Sequence, residues 1–454
     1  MATTQNPPVR VAVVGAGPAG LFAAQALLAQ SLMPVSVDIM DRLRSPYGLV
    51  RYGVAPDHPT IKSVVSALHE ILLTPGARFI GGVDLGRTVT RGDLRASYDA
   101  VVYATGAPGD RKLGIPGEEL PGSISATALV SWYNGHPDAP GIELTAESVA
   151  VIGAGNVALD IGRILTRPNT QLAATDIPTS VLSHLAAVPV REVHLIARRG
   201  PEHAKFSTRE LRELGSIDGI SAHVDPHDLM TPSDEAVDRR VRANLAVFRG
   251  WSEQPTFRSE RQVRFHFYEK PVAVIGDDRV EAIRLERTAV DAAGRVTSSG
   301  QYRTVPVQLV VRAVGYRGTP VADLPFDPTA AVVPNAAGRV TGPAGGPLPG
   351  EYVAGWLKRG PTGVIGTNKV DARETVASLL DDWAAGRMRA SAARPRLEEI
   401  LGRRGVPVTG LDGWLAIDAA ELRKGAAEGR VRSKITDWKS LNELAGALPG
   451  AAGN

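Results

Sequence analysis

The chain has 454 residues, a net charge of +3, and 43% hydrophobic and 22% charged residues, an ordinary globular balance with room for two or three domains. So small a charge argues against a nucleic-acid binder, although a local basic patch can still meet an acidic partner. The absence of cysteine excludes structural disulfides, a redox-active Cys pair, thiolate zinc sites and an iron–sulfur cluster held by the chain's own thiolates. No apolar run is long enough to span a membrane, and MATTQNPPVRVAVVG lacks the basic-then-apolar pattern of a secretion signal. The expectation is a cytoplasmic protein that engages neither membrane nor nucleic acid and holds no metal.

Taken in chain order, Val11–Val14 form a wholly apolar strand of the kind found where both faces of a parallel sheet are covered. Gly15, Gly17 and Gly20 follow in G-x-G-x-x-G order, giving a tight turn, a close approach to pyrophosphate and close helix–strand packing. The helix N-terminus behind them suits an anion. VSVDIMDR then ends on Asp41, 21 residues beyond Gly20, the spacing of an acid that binds a ribose hydroxyl. The bland alternative is a plain packing turn. YDAVVYATGAP (98–108) closes this unit.

A second turn, VAVIGAGNVALD (149–160), repeats the device with Gly153, Gly155 and Ala158. Residues 166–189, rich in Pro, Thr and Ala, interrupt the unit as an insertion. VHLIARRG then supplies its next strand, ending in Arg198 and Arg199. Two guanidiniums suit a 2′-phosphate, which they grip in forked bonds, and about 3 kcal/mol from them prefers NADP over NAD about a hundredfold. A solvated basic pair is the alternative. VQLVVRAVGYRG (307–318) echoes 98–108, so the second unit lies inside the first. GRVTGPAGGPLPG (338–350) is expected as surface loop, and the chain from Ala372 as helices with a turn-rich break over 402–413.

The expected fold class is therefore α/β, with two Rossmann-like dinucleotide-binding domains. Residues 1–107 and 321–454 form one that is discontinuous, and 108–320 form the inserted one. Their chemistry differs: one nucleotide lacks a 2′-phosphate and the other carries it, as for a resident cofactor and a visiting reductant.

LVRYGVAPDHP (49–59), the two glycine motifs, ARRGP (197–201), FSTRELRE (206–213) and GWLKRGPTGVIGTNK (355–369) together closely resemble the adrenodoxin reductase family and its bacterial FprA-type NADPH–ferredoxin reductases, over about residues 11–373. The resemblance implies a two-dinucleotide-binding flavoprotein with FAD and NADP(H), delivering electrons to an acidic ferredoxin-type iron–sulfur protein, as a monomer. It implies FAD contacts from Gly15, Gly17, Ala19, Gly20, Asp41, Leu49, Leu85, Trp356, Gly363, Val364 and Ile365. It implies NADP contacts from Arg111, Ala154, Gly155, Asn156, Val157, Arg198, Arg199 and Glu210, with Gly363 reached by both cofactors. His58 and Glu213 fall where the family has polar groups near flavin and nicotinamide, and are the expected catalytic pair. Ala354-Gly355 is followed by Trp356 where many flavoproteins have Asp, a feature shared with the FprA-like group.

In the loop 360–367, three glycines bring backbone close to a flat ring, and its N–H groups suit a reduced flavin's charge. The same loop is also a helix entry with Thr367 or Asn368 as cap. Trp356 is either a core aromatic or a stacking partner, and His58 is either structural or a nicotinamide-orienting group. Glu213 lies three residues past Glu210 on one helix face, where a salt-bridged surface is the alternative. Arg239, Arg240 and Arg242 are either a docking face or a solvated one. Without cysteine, electrons have no internal disulfide to reach and must leave the chain. The rival readings are an NADPH:quinone or dye oxidoreductase and a non-catalytic NADPH-responsive binding protein.

Overall fold

The computed structural model describes residues 8–187, 190–229, 238–253, 260–291, 293, 295–388 and 394–446. Residues 1–7, read above for a targeting signal, and Val188 and Pro189 at the end of the expected insertion lie outside these.

Strand Val9–Val14, rich in valine and buried on both faces from Val11 onward, runs parallel between Val35–Asp41 and Ala100–Tyr103. It centres a seven-stranded sheet. In spatial order the strands are Asn335–Ala336, Arg339–Thr341, Pro347–Val353, Ala100–Tyr103, Val9–Val14, Val35–Asp41 and Ala77–Gly81, the last five parallel. One face packs on helices Pro18–Ala29 and Thr367–Ala384 and on Trp414, the other on Leu94, Leu397 and Leu401.

The second sheet is all parallel: Ser123–Ser125, Leu309–Arg312, Ser148–Ile152, Glu192–Ile196, Arg261–His266 and Ile220–Val224. One face carries helices Ala126–Tyr133, Asn156–Thr166, Thr208–Gly215 and Arg239–Ser252. The other is covered by a three-stranded antiparallel sheet, Glu269–Ile275, Ala282–Val290 and Val296–Pro306, which the sequence reading did not anticipate. The two passages between the main sheets run side by side, Gly109–Asp110 pairing antiparallel with Tyr316–Arg317. The architecture is that of two dinucleotide-binding α/β units, one interrupting the other.

Two local expectations need correction, and one gains detail. The stretch 338–350 is not simply loop: Arg339–Thr341 and Pro347–Val353 pair as a hairpin whose turn closes through Gly342 N–H to Gly346 O at 2.8 Å. The insertion after Thr166 has helices of its own, Asn169–Leu172 and Thr179–Ala187, and it buries Leu172, Ile177, Val181 and Leu185. Neither Thr367 nor Asn368 caps the following helix. Gly366 is its N-cap, Thr367 Oγ1 accepts from Val364 N–H at 3.1 Å, and Asn368 Oδ1 accepts from Arg359 at 2.9 Å, so both side chains brace the loop before it.

The C-terminal segment is packed on the first unit through its helix Leu411–Ala427 and reaches both units through Lys434, beyond that helix. Arg51 meets Glu421 at 2.5 Å in a buried pair. Lys434, also buried, donates to the carbonyls of Arg51 and Asn134, both at 3.1 Å, and pairs with Asp176 at 3.0 Å.

Candidate functional site between the two nucleotide cradles

The two glycine turns sit at the C-terminal ends of their central strands and are built alike. Gly15 has φ +111°, and a Cβ there would lie 2.3 Å from the carbonyl oxygen of Ala104. Gly153 has φ +152°, and its Cβ would lie 2.3 Å from the carbonyl of Ala313. Gly20 is packing-bound too, its Cβ position only 1.9 Å from Gly15 O. The middle glycines differ. A Cβ on Gly17 would meet only Gly48 Cα at 3.9 Å, and one on Gly155 would meet nothing within 4 Å. Both head a helix N-terminus, where backbone N–H groups favour an anion. The protein's own packing therefore leaves open the space that a pyrophosphate takes in such turns.

Beyond the glycines the cradles diverge. Asp41 ends its strand with its carboxylate accepting from Ala16 N–H and Leu43 N–H, both at 2.9 Å, which holds it beside the first turn. Burial pushes its pKa up against those two bonds and Arg42. Met40 of the first unit and Ile196 of the second are equivalent, since Gly15 N–H bonds Met40 O and Gly153 N–H bonds Ile196 O. The residue matching Asp41 is thus Ala197, and the arginines begin one place later than the sequence comparison implied. No carboxylate stands there to repel a phosphate. Arg198 is exposed, and Arg199 is half-buried with Nε lacking a hydrogen-bond partner. Arg111 is exposed on the crossing ribbon, its N–H donating to Gly315 O at 3.2 Å.

Between the cradles lies a cluster drawn from three elements. Helix Asn156–Thr166 contributes Asn156, Asp160 and Arg163, spaced i, i+4, i+7 on one stripe. The loop before Pro59 contributes Asp57 and His58, and helix Thr208–Gly215, N-capped by Ser207, contributes Glu210 and Glu213. Arg163 grips Asp57 through Nε at 2.6 Å and Nη2 at 3.0 Å. The same Nη2 lies 2.7 Å from Asp160 Oδ1 and 2.5 Å from His58 Nε2. His58 Nδ1 faces Glu213 Oε2 at 3.9 Å. Asn156 donates to Glu210 Oε1 at 3.2 Å and accepts from Ser207 N–H at 2.9 Å.

Glu210 is buried, and its Oε2 has no partner. Its pKa is raised to about 7, by burial first and then by Asp160, with His58 and Arg163 opposing. Donor atoms of His58, Asp160 and Glu210 lie within 4.8 Å of one another, but the Arg163 cation already bonds two of these residues, so the trio is an ion-pair network. The structure thus unites the expected His58, Glu210, Glu213 and Asn156. Sequence reasoning passed over Asp57, Asp160 and Arg163, although Asp160 closes the quoted second motif and Arg163 lies one turn further.

Gly355 joins two of the flavin-side expectations, Ala19 by contact and Trp356 by sequence. This residue has φ +74° and abuts Ala19, whose Cβ would be 2.5 Å from an added Cβ. Trp356 packs on Tyr316 of the crossing ribbon with ring centroids 5.2 Å apart, and its Nε1–H donates to Thr362 O at 3.2 Å. Gly363 has φ +82° on an exposed loop, Val364 is 75% exposed, and Ile365 packs against the first core. Leu49 is exposed, whereas Leu85 packs at the edge of the opposite sheet face. Arg240 does not offer a free docking charge through Nη1, which bonds the carbonyls of Ala204 and Phe206, and Arg242 also has a partner within the fold. Arg239 is exposed.

A family model for pyridine nucleotide-disulphide oxidoreductases matches residues 9–215. The NADPH-ferredoxin reductase FprA of Mycobacterium tuberculosis is 41% identical over 456 residues, covering 96% of this chain and 98% of that protein. The chain belongs to the NADPH–ferredoxin reductase family. A mitochondrial NADPH:adrenodoxin oxidoreductase of Arabidopsis thaliana is 38% identical over 458 residues, covering 96% and 95%. The solved structure of Mycobacterium tuberculosis FprA in complex with NADPH has a TM-score of 0.90 at 40% identity, covering 97% of this chain and 99% of that one. Membership makes the chain an oxidoreductase of the two-dinucleotide-binding flavoprotein type. The disulphide in the broader family's description has no counterpart in this cysteine-free reductase. Among the described residues no helix is long and apolar enough to cross a membrane.

Proposed function

We propose that the chain passes a hydride from NADPH to FAD and then single electrons to a ferredoxin-type iron–sulfur protein. One observation carries this reading: two like-built cradles, one closed by a carboxylate and the other followed, one place further on, by a pair of guanidiniums, flank one polar cluster centred on His58. FAD, when bound, supplies the conversion of a two-electron hydride into electrons released singly.

The chain's own part is positioning. Residues 1–107 and 321–454 hold FAD, with Gly15, Gly17, Ala19 and Gly20 at the pyrophosphate, Asp41 accepting from the ribose, and Leu49, Leu85, Trp356 and 363–365 around the rings. Residues 108–320 hold NADPH, with the turn 154–157 at its pyrophosphate, Arg111, Arg198 and Arg199 at its phosphates, and Glu210 toward the nicotinamide end. His58 and Glu213 orient the nicotinamide amide. The reductase acts as a monomer, and its acceptor is acidic, a reading supported by the positive net charge and the exposed Arg239.

Titrating the purified yellow protein with NADPH should bleach it, and added ferredoxin with a cytochrome should restore the colour faster than quinone does. A colourless protein after reconstitution with FAD sinks the reading. Replacing both Arg198 and Arg199 with Ala should cut the NADPH-over-NADH preference about a hundredfold, corresponding to about 3 kcal/mol, in the kcat/KM of dye reduction. An unchanged preference removes the arginines from the phosphate site.

A further inference from the structure

Arg163 is not among the residues the family resemblance pointed to, yet it bonds Asp57, His58 and Asp160 in the central cluster. Its side chain is 1% exposed and crosses from the helix behind the second cradle to the loop of the first unit. It holds both oxygens of Asp57, at 2.6 and 3.0 Å, and Asp57 is itself 1% exposed. Arg163 Nη2 then reaches His58 Nε2 at 2.5 Å. A guanidinium nitrogen has only hydrogens to offer, and the two on Nη2 go to its nearest neighbours, His58 Nε2 at 2.5 Å and Asp160 Oδ1 at 2.7 Å, which leaves Asp57 held chiefly through Nε at 2.6 Å. An imidazole nitrogen at that distance must present its lone pair, so the ring hydrogen resides on Nδ1, the edge facing Glu213 at 3.9 Å. Asp160 Oδ1, 3.1 Å from the same Nε2, receives its hydrogen from Arg163 at 2.7 Å and needs none from the ring.

We propose that Arg163 is a positioning residue for hydride transfer: it fixes His58 as the Nδ1–H tautomer and holds it in register across the two lobes. The inference rests on the proposed role of His58 and Glu213 at the nicotinamide. His58 then presents a fixed donor edge toward Glu213. The charged and titratable groups around the ring are Asp57 on its own loop, Asp160, Arg163 and Arg167 on the facing helix, and Glu210 and Glu213 on the third element. Among these, Arg163 alone bonds the ring, the loop aspartate and Asp160 at once.

The test combines spectroscopy and kinetics on the FAD-loaded enzyme. With ¹⁵N-histidine labelling, proton–nitrogen correlation spectra should show His58 as Nδ1–H in the native protein, the signal being identified by its loss in His58→Ala. In Arg163→Met the hydrogen should move to Nε2, facing Asp160. A native Nε2–H form overturns the proposal, and that measurement holds even if Arg163→Met does not retain FAD. In stopped flow, Arg163→Met should slow flavin reduction by NADPH about ten- to hundredfold. Arg163→Lys should recover part of the loss, because an ammonium donates to some of the acceptors but not in a fork. In a His58→Ala background the Arg163→Met effect should largely vanish. If the two effects multiply in full, Arg163 acts apart from His58 and the inference fails while the role of His58 stands. If His58→Ala alone leaves the rate unchanged, the role of His58 fails and Arg163 loses the residue it was to act through.

Discussion

Gly155 and Gly153 stand two residues apart, and their substitution should have opposite consequences. A Cβ at Gly153 would press on the carbonyl of Ala313 at 2.3 Å with φ +152°, so Gly153→Val should fail to fold. Gly155 has φ −126° and open space, so Gly155→Val should keep FAD colour and unfolding midpoint while weakening NADPH by at least about tenfold, or 1.4 kcal/mol. Unchanged NADPH affinity by fluorescence titration would mean the open space is not a pyrophosphate site. The glycine spacing was legible in sequence; which glycine serves packing and which serves a ligand was not, because that depends on a carbonyl some 160 residues away in the chain. Glu210 carries a second residue-scale prediction. Its pKa is raised from 4.5 to about 7, so the folded state keeps a proton that the unfolded chain gives up. The resulting stability is full below pH 4.5 and is lost as pH rises through 7. Glu210→Gln should flatten the fall in urea midpoint between about pH 5 and 8. An identical slope in the variant would assign the dependence elsewhere.

Among the elements, helix Asn156–Thr166 shows how one periodicity serves two ends. Leu159, Ile161 and Ile164 face the core while Asn156, Asp160 and Arg163 line the cluster. The apolar pattern announced a helix, but nothing local distinguished Arg163 from a solvated arginine. The same blindness affected the hairpin at 338–350, where Gly and Pro signal turns without revealing that flanking residues pair. It also affected the three-stranded sheet, whose Val296–Pro306 strand is mostly exposed and lacks apolar alternation. The C-terminal helix Leu411–Ala427 supplies Glu421, 0% exposed, to Arg51, which also lies over the Tyr52 and Trp414 rings. Glu421→Ala should cost about 3–5 kcal/mol in chemical unfolding, since it strands a buried cation. The double change to methionine at both positions should recover most of that. A single-variant loss below about 1 kcal/mol would show that water reaches Arg51.

Across the whole molecule, the two units are held by the crossing ribbon, the C-terminal clip and the Asp57–Arg163 pair, so each cradle keeps a set position relative to the other. Electrons leave this chain for a partner, and an electrostatically steered encounter is sensitive to salt. Turnover with ferredoxin should fall steeply between about 50 and 300 mM salt, where the Debye length shortens through ~10 Å, while turnover with a small neutral dye stays level. Parallel loss with both acceptors would place the salt effect on NADPH binding. The sequence by itself determined the two glycine cradles, the acid that closes the strand beside the first, and the nesting of one unit inside the other. Those features rest on glycine spacing, strand periodicity and residue charge, all expressed over short stretches of chain. Only the tertiary structure decided which polar groups meet at the junction. His58 and Arg163 are 105 residues apart, and Lys434 and Arg51 are 383 apart. Such contacts depend on how two independently patterned sheets are set against each other, an arrangement no local pattern encodes.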